Sequence, residues 1–268
     1  MKLKPPLPRE HGAWAMLATP LLLGALLAPV SSSRVLWLFI AALSFFLLRH
    51  PVAILVKRWA NPPKDAAYLR QWVVIYGGVA ALSGAWLLLG YGLWWLIPAA
   101  LVGATLLGLN MWLVTRRQEM SLMAELSGIF GLAMGAPMSY YVASGLLDRL
   151  AMMLWLLNFL YFGSTVFYVK LKVRIQPRLP APTHLTDYLH PAAAALAYQT
   201  ITFIIIIGLT VIGLLPMWAW LIFLPATLKL LWGITHWQDK KALNLPRLGA
   251  IEVIHTVIFA LLVWVVLG

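Results

Sequence analysis

Cysteine is absent from all 268 residues, which excludes a disulfide framework, a thiolate metal site and a cysteine nucleophile. Charge is scarce: Asp, Glu, Lys and Arg make up 10% of the chain, whereas soluble domains carry about 25%. Acidic groups are scarcer still, eight against twenty Lys and Arg. No Walker loop, no GxGxxG ahead of a strand and no HExxH occurs, so P-loop, dinucleotide and zincin chemistries are excluded. Apolar and aromatic residues fill the chain instead, at 62%, with mean hydropathy +0.87. That balance excludes a soluble globular enzyme, a disordered chain and a coiled coil. It specifies an all-α, polytopic membrane protein.

A helix crosses about 30 Å of hydrocarbon with roughly 20 apolar residues. By that measure about nine spans are expected: Gly12 to Val30, Val35 to Val56, Gln71 to Gly90, Leu93 to Thr115, Ser121 to Gly145, Leu150 to Val169, Ala192 to Leu215, Trp218 to Trp237 and Ala250 to Leu267. Polar, prolyl or glycyl breaks separate them, such as Ser31-Ser32-Ser33, Asn61-Pro62-Pro63-Lys64 and Arg116-Arg117-Gln118-Glu119. The runs are continuously apolar rather than alternating, so helices are expected and a β-barrel is not. The first run is long and lacks a small-residue cleavage site, and reads as a retained span rather than a signal peptide. The whole chain is expected to form one transmembrane domain, residues 1–268.

Lys and Arg in short loops set orientation. With the N-terminus cytoplasmic and the C-terminus outside, the inner segments carry sixteen of them and the outer segments only Arg34 and Arg149. The inner loops fall near 57–70, 116–120, 170–189 and 238–248. This bias accounts for much of the net charge of +12 without a nucleic-acid partner. The address that follows is a bacterial inner membrane, with membrane lipids as partners.

Polar residues inside a bilayer cost free energy unless paired, hydrated or snorkelling, so they carry the functional information. On this topology they gather in the cytoplasmic half. Glu10 and His11 open span one, Arg49 and His50 lie in span two, and Asn110 ends span four. Glu125 begins span five, Tyr168 and Lys170 close span six, and Glu252 and His255 share one face of span nine at i and i+3. The outer half holds mainly hydroxyls. One polar cavity open to the cytoplasm over an apolar floor is the arrangement expected. For each residue a structural role competes: Lys229 as a snorkelling side chain, Glu125 and Glu252 as counter-ions to Arg49 and Lys229, His236 as an interface anchor. Lys57, Arg58, Lys170, Lys172 and Arg174 form a basic rim suited to phosphate or carboxylate, or to anionic lipid heads.

The run Pro8-Arg9-Glu10-His11-Gly12-Ala13-Trp14-Ala15-Met16-Leu17 resembles the signature of the YwiC-like family of bacterial membrane proteins, and Arg49-His50-Pro51 and Ala124-Glu125-Leu126-Ser127-Gly128 are compatible with it. That resemblance covers the whole chain but implies no particular reaction. In architecture, with long inner loops after spans two and six, the chain also resembles the UbiA-type intramembrane prenyltransferases. In that superfamily two aspartate-rich motifs hold magnesium and the diphosphate of a polyprenyl donor. Here each loop has a lone acid, Asp65 and Asp187, so magnesium enters only if that chemistry is kept.

The combined expectation is a UbiA-like bundle whose inner cavity takes an amphipathic anion such as an isoprenoid or lipid phosphate. Arg49, His50, Lys57, Arg58, Asn110, Tyr168, Lys170, Glu252 and His255 would bind it. Glu10, His11 and Glu125 would move protons or orient. The alternative is a small-molecule transporter or a membrane assembly factor, and the residues leave open whether the chain is an enzyme.

Overall fold

A computed structural model describes residues 5–7, 11–59, 61–180, 182–237 and 244–268, and is helical throughout them, with no strand. Helix α1 covers His11–Leu26, α2 Arg34–Lys57, α3 Ala66–Tyr91, α4 Leu96–Thr115, α5 Leu122–Ala133, α6 Gly135–Ser144, α7 Arg149–Lys170, α8 Leu185–Val211, α9 Leu224–Thr235 and α10 Leu245–Leu267. Seven stretches are long and apolar enough to cross a membrane, with α5 and α6 counted together and α7 running on to Arg178. Two apolar helices are shorter, Gly12–Leu26 and Ala219–Thr235. The chain is therefore a multi-pass membrane protein by composition and helix length.

Two compact units divide it, Met1–Trp155 and Leu156–Gly268. In the first, α2 and α3 form an antiparallel hairpin. Val35 and Leu87 share an apolar cluster with Leu93, Leu96, Tyr141 and Val142 near one end. Phe46, Leu47 and Tyr76 share another with Leu17 and Leu21 of α1. Left-handed glycines end two helices here, Gly92 after α3 and Gly145 after α6. At the Val35 end Arg34 lies 4.8 Å over the Tyr91 ring. Asp148 accepts hydrogen bonds from Tyr140 Oη (2.7 Å) and the Ala151 amide (3.1 Å), capping α7.

The run read from sequence as one span from Ser121 to Gly145 is interrupted at Met134, between α5 and α6. Pro137 supplies the reason. It has no N–H to give the Ala133 carbonyl one turn earlier, and its ring crowds that carbonyl. Ser121 caps α5 by accepting from the Ala124 amide at 3.2 Å.

The second unit departs from the expected loop beginning at Lys170. After α7 the chain continues as a π-helical turn, Leu171–Ile175, and a 3-10 turn, Gln176–Arg178. Leu171 and Lys172 are both buried there. Apolar residues at 171, 173 and 175 sustain the helix, and the wider π turn directs Lys172 inward.

Candidate functional site

Polar side chains within each unit are held by their neighbours on other helices. In the first, a seam runs across α2, α4 and α5. Asn110, buried on α4, donates to Ser127 Oγ (3.0 Å) and to the Leu106 carbonyl (3.2 Å). Its side-chain oxygen accepts from the Arg49 guanidinium at 3.4 Å. Ser127 in turn donates to the Ala124 carbonyl at 3.1 Å. Each member is placed by its helix: Arg49 lies two turns before the end of α2, Asn110 in the last turns of α4, Ser127 in the first turns of α5. The amide thus fixes an arginine that is itself exposed at the seam's edge. Asn110 is a partner of Arg49, and Glu125, the counter-ion that the sequence also offers, sits half-buried two residues before Ser127.

At the mouth of the seam Lys57 donates to Glu119 Oε1, so this cation of the expected rim already has a protein partner. The Lys57 hydrogen bond, followed by weaker contributions that include the Lys57 and Arg117 charges, holds the Glu119 carboxyl below its ordinary range. A depressed carboxyl stabilises the fold at pH above its unfolded value, and that contribution is lost as pH falls through the depressed one. Both groups are substantially exposed, so Glu119→Gln is expected to cost no more than about 1 kcal/mol at neutral pH. The difference from wild type should vanish in acid, which unfolding midpoints measured from pH 7 downward will check. Arg58 and Asp65 are exposed beyond the end of α2.

The second unit holds a buried ion pair. Lys229 of α9 donates to both carboxylate oxygens of Glu252 of α10, each at 2.8 Å, and its ammonium lies 4.6 Å over the Tyr168 ring. Lys229 therefore does not snorkel. It is turned inward, and its counter-ion is the one weighed from sequence. Glu252 has both oxygens engaged, and His255, one turn on, has Nδ1 against the Ile251 carbonyl at 2.9 Å. Lys170 is half-buried at the end of α7.

Lys172, expected in the basic rim, is internal instead. Its ammonium donates to Gln176 Oε1 (2.9 Å) and to the carbonyls of Gly233 (3.0 Å) and His236 (2.6 Å). Three donors meet three acceptors, so it closes the C-terminal end of α9 and has none left for an anion. His236 stacks on Trp232, centroids 4.0 Å apart.

The expected magnesium ligands do not fit the ion. Asp187 is spent on capping α8, one oxygen accepting from the Thr183 and His184 amides, each at 3.0 Å, and from Thr183 Oγ1 at 3.2 Å. Among the described residues no three His, Cys, Asp or Glu come together, whereas a hard cation favours several carboxylate oxygens. Glu10 and the His11 side chain lie outside the described residues, while His50 is half-buried on α2.

Sequence reasoning gave Ser127, Gln176 and the inward turn of Lys172 no role. Each is fixed by a neighbour on another helix, and only the helix-start serine at 121 carried a local signal.

A family model described as YwiC-like protein matches residues 7–140. The chain is 30% identical over 174 residues to "Uncharacterized protein YwiC" of Bacillus subtilis (strain 168), covering 63% of this chain and 67% of that protein. It is 27% identical over 172 residues to an uncharacterized protein of Haemophilus influenzae, covering 62% and 66%. It thus spans about two thirds of the length of these relatives. No solved structure matches.

Proposed function

The chain belongs to the family of YwiC-like proteins, and we propose that it acts in a bacterial inner membrane by binding the anionic head of an amphipathic substrate at Arg49. The observation that carries this reading is the seam: an arginine within an apolar helix, pinned by one buried amide and otherwise open. All three members fall inside the family segment, residues 7–140. A guanidinium has five N–H donors in a planar fork. One is spent on Asn110, which orients the fork and leaves its remaining edge for phosphate or carboxylate oxygens.

In this reading the two short apolar helices complete nine crossings, with the N-terminus cytoplasmic. The 3-10 start at Ala219–Phe223 rises about 2 Å per residue, lengthening its segment toward the bilayer thickness. The scaffold is then of UbiA type, but the head group is neutralised by Arg49, with Arg58 beside the mouth, and no step passes through a metal. Glu125, two residues before Ser127 on α5, supplies in this reading the carboxylate that exchanges a proton with the bound head, and the tail lies along the apolar floor.

A pair of probes tests this, farnesyl phosphate and farnesol, bound to the purified protein and followed by native mass spectrometry. A charge-assisted hydrogen bond contributes about 1.5–3 kcal/mol, so Arg49→Ala should weaken phosphate binding roughly 10- to 100-fold. Farnesol binding should be unchanged, and Arg49→Lys should recover part of the loss. If Arg49→Ala binds farnesyl phosphate as tightly as wild type does, the proposal is wrong.

A further inference from the structure

On α3, where it packs against α1 and α2, two polar atoms are buried with no hydrogen-bond partner: Trp72 Nε1 and Tyr76 Oη. The two side chains stand one helical turn apart with ring centroids 5.0 Å from each other. Tyr76 is 6% exposed and packs with Leu17 and Leu21 of α1 and Phe46 and Leu47 of α2, with Trp72 and Trp14 beside them. Trp14 meets Phe46 edge-on at 5.5 Å. Phe45 approaches Gly103 of α4, while its neighbour Phe46 belongs to this cluster.

An orphaned donor in an apolar interior costs about 1–3 kcal/mol, and hydrocarbon tails offer no acceptor to relieve it. Here two such donors stand side by side on one helix. An indole N–H only donates, so its missing partner is an acceptor. The surrounding side chains are Leu, Phe and Trp, where an ionised group would be far costlier to bury than a neutral one. A carbonyl oxygen, with two lone pairs and no charge, meets both conditions.

We infer that the junction of α1, α2 and α3 is a binding site for the carbonyl group of a membrane-dissolved molecule, held by Trp72 Nε1–H and Tyr76 Oη–H. The inference does not rest on the anion reading of Arg49, which concerns a different set of side chains, Arg49, Asn110 and Ser127. The molecule is either a bilayer lipid contributing an ester carbonyl or a free apolar carbonyl compound.

Tyr76→Phe separates this from mere tolerance of unpaired groups, because the two accounts give opposite signs. Wild type, Tyr76→Phe and Trp72→Phe are reconstituted in nanodiscs of ether-linked phosphatidylcholine, with 2-dodecanone or dodecane added, and in nanodiscs of the ester-linked lipid. The ketone should raise the unfolding temperature of wild type and dodecane should not. Each variant should lose the response, with ketone affinity falling roughly tenfold for one hydrogen bond. A wild-type advantage over Tyr76→Phe in ester-linked lipid alone identifies the lipid as the source; one that needs the ketone identifies a free compound. If ketone and alkane act alike on wild type and Tyr76→Phe is the more stable protein in both lipids, no carbonyl is bound and the inference fails.

Discussion

Lys229→Met is expected to destabilise the protein by about 3–5 kcal/mol, because it strands the Glu252 carboxylate among packed helices with no cation. The lysine makes two 2.8 Å contacts to that carboxylate and lies over Tyr168, so three elements converge on one ammonium. Lys172 cannot replace it, being committed to Gln176 and to the end of α9. Removing both charges together should have a much smaller effect. In buried pairs the desolvation of two ions nearly offsets their attraction, and well-packed apolar replacements are often neutral or stabilising. The double variant Lys229→Met with Glu252→Leu should therefore regain most of the lost stability. Urea or denaturing-detergent titrations of the four proteins in the cycle give the coupling. Equal losses in the single and double variants would show instead that packing volume, not charge, holds α9 against α10.

Helix content and the apolar runs were legible because hydropathy is a local property, and each of the nine runs coincides with a helix or a helix pair. Pairing between helices was not. The contact of Arg49 with Asn110 has no signature in residue spacing, since it depends on α2 packing on α4 with Phe45 against Gly103. Lys172 stands among Lys170, Arg174 and Arg178 and reads as one of a basic group. Only the π turn distinguishes it, and a five-residue change of helical pitch leaves little trace in composition. The Lys229–Glu252 pair is among the alternatives the sequence offers, because few charges exist in the spans and the possible partners are few. The break at Met134 did carry a signal, Pro137, which a count of apolar residues passes over.

The same limit applies to glycines, whose spacing reads alike whether a neighbour is present or not. Gly24→Ala is expected to cost about 3 kcal/mol or more, at or above the upper end for overpacked cores. A Cβ there would lie 2.1 Å from the Ala136 carbonyl oxygen and 2.9 Å from its carbon. Those atoms are main chain of α6, so relief requires moving one helix away from the other. The counterpart on α6 is tight but less severe: a Cβ on Gly135 would meet the Leu21 side chain at 3.1 Å. Gly77 and Gly84 of α3, with nothing within 4 Å of the same added atom, are the controls. Alanine at either should be neutral or stabilising by up to about 1 kcal/mol through helix propensity. The consequence reaches beyond stability, because α1 has only 16 residues, about 24 Å of helix, short of the roughly 30 Å a span requires. Lipid alone holds such a helix poorly, so its seat against α6 must come from this close approach. Because the chain has no native cysteine, one introduced at Leu22 reports on that seat without background. Gly24→Ala should quicken its labelling by a maleimide at temperatures where Gly84→Ala leaves the rate at the wild-type value. Identical rates in the two variants would mean that α1 is held by something other than its contact with α6.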